Sequence, residues 1–434
     1  MSDVTPAALA PTPGGITLDR ALAALRTLEP SARAFWIHDL DLFHARAARL
    51  RAAFAPLRAH MAYALKANGL PALVRAASAA GLECDAGSLG ELALAEACGF
   101  PAERRTLSGN GRTPEEAAWA ATHGVAMVSA DHVGELDLLD EAAARAGATL
   151  RVALRVNPGI LTLGHHYVAT GHHDAKFGVS AADALAAWAA RARWPHLRVD
   201  GVHLHVGSQV TETGPLETAA RAAIALARAA AEGGAPLTQI NLGGGFGIDY
   251  ETGRDVFPLE RHAQLLGEIA AGEPFEWRME PGRWLVAPVG TLVAEVLWVK
   301  RRLEEGVERR FVVLAAGMND LIRPALYGAF HRIVPVHPRA GEATPATVVG
   351  PVCESGDTFA SERALPPLER GDLVAILDAG AYGSAMSSNY NGRGRLAELV
   401  VEGGALRRAR AGETVGELCD RQVDDRLLAG PSSQ

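Results

Sequence analysis

The sequence predicts an α/β protein in two domains: a (β/α)8 barrel of the TIM type, followed by a mostly antiparallel β-domain. Three observations carry that expectation. From residue 60 onward a short apolar run, a polar turn and an Ala/Leu-rich amphipathic stretch recur, and eight such runs precede Pro288; eight strand and helix units are the number that closes such a barrel. Beyond Pro288 the texture changes to short β-type runs divided by Gly, Pro and charged turns. The length, 434 residues, exceeds what one ordinary core accommodates.

Taken in order, residues 1–15 are Pro- and Ala-rich, lack the basic and apolar regions of a signal peptide, and read as a loose end. Residues 34–38 read as a strand joining the β-domain, and Asp39 caps a helix reaching about Ala55. Barrel strands are expected at 60–66, 82–85, 105–108, 126–129, 150–156, 199–206, 238–242 and 275–279. The stretches between them carry apolar residues at three- and four-residue spacing, as Leu92, Leu94, Ala95 and Cys98 do, so each can cover the barrel's outside. An open doubly wound sheet is the competing arrangement. It fits less well, because the distinctive residues follow many different strands instead of one switch point. The β-domain strands are expected at 291–300, 311–315, 333–336, 346–352, 373–379, 398–402 and 406–410. The expected divisions are 1–38 (a segment joining the β-domain), 39–288 (barrel) and 289–434 (β-domain), with disorder at 430–434.

Composition excludes several function classes. A formal net charge of −8 leaves no basic footprint for nucleic acid or an anionic membrane surface. No apolar run spans a bilayer: even the Ala-rich stretch at 216–231 is broken by Glu217 and arginines. The four cysteines, at 84, 98, 353 and 419, show no metal-ligand spacing and are too few for a disulfide framework. A cytoplasmic protein without a metal site is the expectation.

The chemistry centres on Lys66 in His60-Met-Ala-Tyr-Ala-Leu-Lys-Ala-Asn68. Lysine occurs only at 66, 176 and 300, so wherever a plain positive charge was wanted arginine was used. An amine can lose its proton and attack a carbonyl, which guanidinium does not do. The alternation around Lys66 places it at the C-terminal end of a buried strand, and a lysine reaching out of a strand end into solvent is the bland alternative. Gly243, Gly244 and Gly245 follow the seventh strand, where a barrel commonly binds phosphate. Read alone they can also be a merely tight turn, and Ile248 spoils the dinucleotide spacing. Glu280-Pro-Gly-Arg283 ends the eighth strand with a carboxylate able to hold a proton on a pyridine nitrogen and a guanidinium able to fork an anion, or with a turn flanked by an ion pair. His203 and His205 are expected on one face of the sixth strand, to hydrogen-bond inside the barrel or, less well supported, to ligate a metal.

These segments, with His205-Val-Gly-Ser208, resemble the alanine-racemase-fold, pyridoxal-phosphate-dependent amino-acid decarboxylases. Asn157-Pro-Gly159, Lys176-Phe-Gly178, the segment from Gly317 to Tyr327, Cys353-Glu-Ser-Gly-Asp357, Gly380-Ala-Tyr-Gly383 and Ser388-Asn-Tyr-Asn391 narrow the resemblance to members acting on meso-2,6-diaminopimelate in lysine biosynthesis. It covers roughly residues 30 to 400, in order. The resemblance implies that Lys66 bonds covalently to pyridoxal 5'-phosphate, His205 stacks on the ring and Glu280 pairs with the pyridine nitrogen. Ser208, Gly243, Gly244, Gly245 and Gly282 would bind the phosphate. Arg283 and Tyr382 would touch cofactor and substrate, with Arg155 and Asp85 as further candidates near the ring. Arg323, Tyr327 and Glu354 would grip the substrate, and Cys353 would return a proton. In the family the cysteine loop completes the neighbouring subunit's site, which implies an obligate homodimer.

Physical chemistry agrees with that allocation. Loss of carbon dioxide leaves electrons that need a sink, and a pyridinium kept protonated by a carboxylate is a strong one. An arginine at that nitrogen would favour racemisation, so Glu280 points to decarboxylation. Arg323 and Glu354 complement the distal carboxylate and ammonium of diaminopimelate. For Cys353 the plain alternative is a buried small apolar residue. Ser31–Trp36, Cys84–Leu92 and Ser108–Arg112 depart from the usual family pattern without touching an implied catalytic residue. They leave open a relative with another polyfunctional amino acid as substrate, and a non-catalytic barrel that carries the cofactor is the remote third possibility.

Overall fold

A computed structural model of the chain describes residues 10–157, 176–304 and 307–422. Pro158 and Gly159 of the Asn157-Pro-Gly159 segment, and the disorder expected at 430–434, fall outside the described residues. The chain divides into two compact units, a barrel unit of Asp39–Val289 with Gly380–Ala385, and a sheet unit of the described parts of Met1–His38, Gly290–Ala379 and Met386–Gln434.

In chain order, α1 (Leu18–Arg26) and β1 (Ala34–Asp39) precede the barrel. The barrel unit opens with α2 (Leu40–Phe54), capped as expected by Asp39, whose side chain accepts the Leu42 N–H at 2.9 Å. Strands and helices then alternate through β2 (His60–Ala64), α3 (Pro71–Ala79), β3 (Glu83–Ala86), α4 (Leu89–Ala97), β4 (Arg105–Leu107), α5 (Pro114–His123), β5 (Met127–Ala130), α6 (Glu135–Ala146) and β6 (Leu150–Arg155). They continue through α7 (Ala181–Ala189), β7 (Leu197–His203), α8 (Gly214–Glu232), β8 (Gln239–Asn241), α9 (Leu259–Ala270), β9 (Glu276–Met279) and the single turn α10 (Arg283–Val286).

Strands β2 to β9 form a closed barrel of parallel neighbours, completed where β9 pairs with β2 through Met61 and Met279. The helices lie outside because each has one small or apolar stripe: α8 buries Leu216, Ala219, Ala220, Ala223, Ile224 and Ala227, at helical spacing. Alanine dominates these stripes, combining high helix propensity with close approach to the strands. Starts are written in the sequence too, as in the Thr113 to Glu116 capping box of α5 with Pro114 in its first turn.

The sheet unit adds β10 (Gly290–Glu304), β11 (Val307–Leu314), α11 (Arg323–Tyr327), β12 (Ile333–Pro335), β13 (Thr344–Val349), β14 (Thr358–Leu365), β15 (Leu373–Ile376), β16 (Glu398–Glu402), β17 (Ala405–Arg410) and α12 (Val415–Gln422). Its nine strands run β14-β13-β11-β10-β1-β16-β17, with β15 also on β10 and β12 on β15. Among this sheet's described pairings only β11 with β13 is parallel. Both sheet faces are covered: Trp36 packs with Leu292, Val348 and Phe359 in one core, while Phe35 and Ile37 on the opposite face meet Leu18, Leu22 and Leu25 of α1 in another. The elements the sequence reading overlooks are α1, α12 and β14, with the short helical turns α10 and α11. In β14 most side chains are half-buried or exposed, so the apolar alternation that marks a strand is weak there.

Candidate active site

β2 ends at Ala64, and a short turn over Leu65–Ala67 follows, so Lys66 stands just past the strand end and not within it. Buried Asn68 fixes this turn. Its Oδ1 accepts the Leu70 N–H at 3.0 Å, its Nδ2 donates to Gly380 O at 2.9 Å, and the Tyr63 hydroxyl donates to Asn68 O at 2.7 Å. Tyr382, at φ 57° in the left-handed region that costs a bulky residue energy, is held there by its N–H donating to Ala67 O at 2.8 Å. Lys66 is open to solvent but crowded by protein. Crowding works against its charge, yet the carboxylates of Asp85 and Glu280 outweigh it and its pKa is raised. These residues by themselves therefore favour the ammonium form of Lys66.

Two carboxylates face that amine. Asp85 on β3 is buried, its Oδ1 meets no hydrogen-bond partner, and burial, followed by repulsion from Glu280, pushes its carboxyl up to about 7. Glu280, just past β9, is also buried; Asn241 Nδ2 donates to its Oε1 at 2.6 Å, and His203 Nε2 lies 3.6 Å from its Oε2. The two histidines, expected to share a face, part company because β7 ends at His203. His203 Nδ1 is bonded to the Ser129 hydroxyl, while His205 Nδ1 accepts the Gly244 N–H at 3.2 Å. Burial, reinforced by the nearby Lys66 and Arg155 cations, holds both imidazoles well below their usual range, hence neutral. Arg155, at the end of β6, lies 3.5 Å from Asp131 Oδ1 and 4.3 Å from the centre of the Phe177 ring.

The glycine loop after β8 packs against these groups with no room to spare. A Cβ on Gly244 would sit 2.1 Å from Glu280 O, one on Gly243 2.5 Å from His205 Nδ1, and one on Gly245 2.4 Å from Gly207 O. Gly282 has its own tight neighbours, Ala67 and Ala64, at 3.0 and 3.2 Å from a notional Cβ. Beside the loop, Arg283 donates to Ser208 Oγ and to the Tyr250 hydroxyl, each at 2.8 Å, and its guanidinium carbon lies 5.0 Å from the Tyr382 ring centre. The barrel mouth thus joins an amine, two buried carboxylates, neutral imidazoles and an arginine with two hydroxyls, around a cradle that refuses side chains.

The sequence profile of the family described as "Pyridoxal-dependent decarboxylase, pyridoxal binding domain" matches residues 40–287. The diaminopimelate decarboxylase of Neisseria meningitidis serogroup A is 40% identical over 363 residues, covering 84% of this chain and 88% of the relative. The crystal structure of diaminopimelate decarboxylase from Helicobacter pylori complexed with L-lysine superposes with a TM-score of 0.84 at 32% identity, covering 92% of this chain and 99% of that one. The M. jannaschii enzyme in co-complex with L-lysine superposes at 0.86 with 30% identity, over 92% and 94% of the two chains. The chain belongs to the diaminopimelate decarboxylase family. It is a pyridoxal-phosphate-dependent decarboxylase.

The residues of this decarboxylase fit that cofactor. Lys66 offers an amine past a strand end, and Glu280 a buried carboxylate. The polar atoms Asp85 Oδ1 and His203 Nε2 are buried without hydrogen-bond partners beside them. Ser208, Arg283 and Tyr250 set three anion-binding groups against a glycine cradle. Among the described residues no three His, Cys, Asp or Glu side chains gather as metal ligands. No described helix is long and apolar enough to cross a membrane.

The remaining sequence candidates belong to the sheet unit. Arg323 opens α11, is buried, and its Nη1 lies 2.9 Å from His331 Nε2, whereas Tyr327, ending the same helix, is exposed. Cys353 is exposed, with its N–H donating to Asn391 Oδ1 at 2.8 Å; exposed Glu354 accepts the Gly356 N–H at 3.2 Å. Buried Asp357 accepts the N–H groups of Met318 and Val352, each at 2.7 Å, and so ties the cysteine loop to the turn before Arg323.

Sequence reasoning missed Asn241, Tyr250 and Ser129. The signal for Asn241 was present: a polar residue ends a fully buried strand immediately before a glycine run, where an unpaired amide would be costly. Tyr250 closes the same segment, and only the fold brings it to Arg283.

Proposed function

We propose that this decarboxylase converts meso-2,6-diaminopimelate to L-lysine and carbon dioxide, a step of lysine biosynthesis. The observation that carries the reading is the convergence of Lys66 and Glu280 at the barrel mouth of a chain 40% identical to a diaminopimelate decarboxylase. In the proposed division of labour, 39–288 binds the cofactor and 289–434 brings the Cys353 loop. Pyridoxal phosphate, when bound, supplies the sink for the electrons left as carbon dioxide departs. The chain does the rest. The Lys66 amine anchors the cofactor covalently. Glu280 would keep a proton on the cofactor's ring nitrogen, and His205 would help hold the ring. Ser208, Arg283, Gly282 and Gly243 to Gly245, joined by Tyr250, bind the phosphate. Arg323, Tyr327 and Glu354 hold the distal carboxylate and ammonium of the substrate, Arg283 and Tyr382 touch it nearer the ring, and the Cys353 thiol returns a proton to the substrate carbon.

We further propose that the working form is an obligate homodimer, with Cys353 and Glu354 serving the partner subunit's site, and that it is cytoplasmic. Side-by-side release of carbon dioxide from meso-diaminopimelate, lysine, ornithine and arginine tests the substrate. Preference for any of the other three assigns the chain to a sister activity. Purified protein should absorb near the visible edge, and Lys66→Ala should remove both that band and turnover. A variant keeping both would defeat the proposal.

A further inference from the structure

We propose that His203 is a positioning residue for Glu280, its tautomer set by Ser129, so that a side chain never touching cofactor or substrate controls how firmly the ring nitrogen keeps its proton. The inference rests on the reading of Glu280 as that nitrogen's partner.

Four buried side chains from four barrel strands or strand ends form one chain of contacts: Ser129 on β5, His203 on β7, Asn241 on β8 and Glu280 past β9. Asn241 occupies Glu280 Oε1 at 2.6 Å. The other oxygen, Oε2, has His203 Nε2 at 3.6 Å, longer than a hydrogen bond, and that nitrogen has no hydrogen-bond partner. A neutral imidazole carries a single N–H. Were it on Nδ1, the Nε2 lone pair would point at a carboxylate oxygen, which is repulsive; placed on Nε2, it points a donor there. The carboxylate therefore selects the Nε2–H form, which leaves Nδ1 as an acceptor and obliges the Ser129 hydroxyl to donate to it. The charged and titratable groups acting on this imidazole are Arg155 on β6, Lys66 after β2, His205 beyond β7 and Glu280 itself. The two cations and burial keep it neutral, so it acts as an aligned dipole. With the Asn241 amide bonded to one oxygen and the His203 N–H dipole 3.6 Å from the other, the carboxylate is oriented across the barrel mouth; with His203 removed, the Asn241 bond remains and the second restraint is lost.

The test loads the full-length protein and its variants with pyridoxal 5'-phosphate and records the pH midpoint of the bound cofactor's absorption change, alongside kcat and the cofactor's Kd. His203→Leu should move the midpoint to lower pH by about one unit and lower kcat by about tenfold, with Kd changed less than about threefold. His203→Gln, whose amide can donate to Oε2, should restore the midpoint. Ser129→Ala, a small change that preserves folding, should shift it the same way by a smaller amount, and this variant carries the test if His203→Leu does not fold. Midpoints in Ser129→Ala and His203→Leu that superimpose on the parent would overturn the proposal. So would equal shifts in the Leu and Gln variants with none in Ser129→Ala, since that pattern reports packing alone. If the parent protein itself shows no visible band, the cofactor reading fails first; a parent that absorbs and turns over beside unmoved variants fails only the inference about His203.

Discussion

Asn241 ties Glu280 to the glycine loop: its Nδ2 donates to Glu280 Oε1 at 2.6 Å while its Oδ1 accepts the Gly243 N–H at 2.9 Å. One buried amide thus sets the carboxylate and the cradle in register, although they come from different strands. Asn241→Leu keeps the volume and loses both bonds, leaving two buried polar groups unpaired at about 1–3 kcal/mol each. Affinity for pyridoxal 5'-phosphate, read by absorbance titration, should fall by about 10- to 100-fold, since both ends of the site lose their common reference. An unchanged Kd would mean that other contacts hold Glu280 and the loop.

A pair of glycine substitutions separates cradle from scaffold. At Gly244 a Cβ would lie 2.1 Å from the backbone oxygen of Glu280, which cannot swing aside as a side-chain tip would. Gly244→Ala should therefore displace the loop and cost at least about tenfold in cofactor affinity. Gly267, inside α9, would place its Cβ in open space. Gly267→Ala should raise stability by about 0.5–1 kcal/mol in denaturant unfolding and leave cofactor binding alone. Equal effects at the two positions would refute the assignment of Gly244 to the cradle.

How much of this was legible depended on the distance over which each feature is decided. The barrel strands are short buried runs bounded by turn residues, and the Ala/Leu stripes are local, so both could be read from the sequence. Lys66 stood out because lysine is scarce. Its raised pKa could not be read, because it depends on Asp85 and Glu280, which only barrel closure brings near. The Asn241 to Glu280 bond and the Ser129 to His203 bond likewise join residues from different strands, and no spacing rule connects them. The helix α1 is local in origin, since Leu18, Ala21, Leu22 and Leu25 form a full helical stripe, but at nine residues that stripe is short and stands apart from the repeating strand and helix pattern. Strand β14 was hidden because its side chains are mostly half-buried or exposed.

If the Cys353 thiol returns the proton, Cys353→Ala should lower kcat for carbon dioxide release by about 10²- to 10³-fold, the usual worth of a positioned acid. Cofactor absorbance should be unaltered, because Lys66 and the glycine cradle belong to the barrel unit. Full decarboxylation rates in Cys353→Ala would show that another group delivers the proton.

His262 predicts an acid limit to stability that has nothing to do with catalysis. Its ring is buried, its Nδ1 has no hydrogen-bond partner, and Phe54, Phe246 and Phe257 pack edge-on at 5.8, 5.5 and 5.6 Å between ring centres. Burial, opposed only by Glu217, lowers its pKa to about 4 from 6.5. Because the folded state binds this proton less readily than the unfolded chain, stability rises with pH between 4 and 6.5 and is lost as the pH falls through that window. The difference is worth about 3 kcal/mol when the window has been crossed. His262→Leu removes the proton site while remaining apolar among the three phenylalanines. Denaturant midpoints measured from pH 7.5 to pH 4.5 should therefore fall less steeply in the variant than in the parent, with the gap opening below about pH 6.5. Parallel pH profiles would mean that His262 stays neutral in both states or is solvated in the folded one, and the acid sensitivity would then have to be sought among other groups.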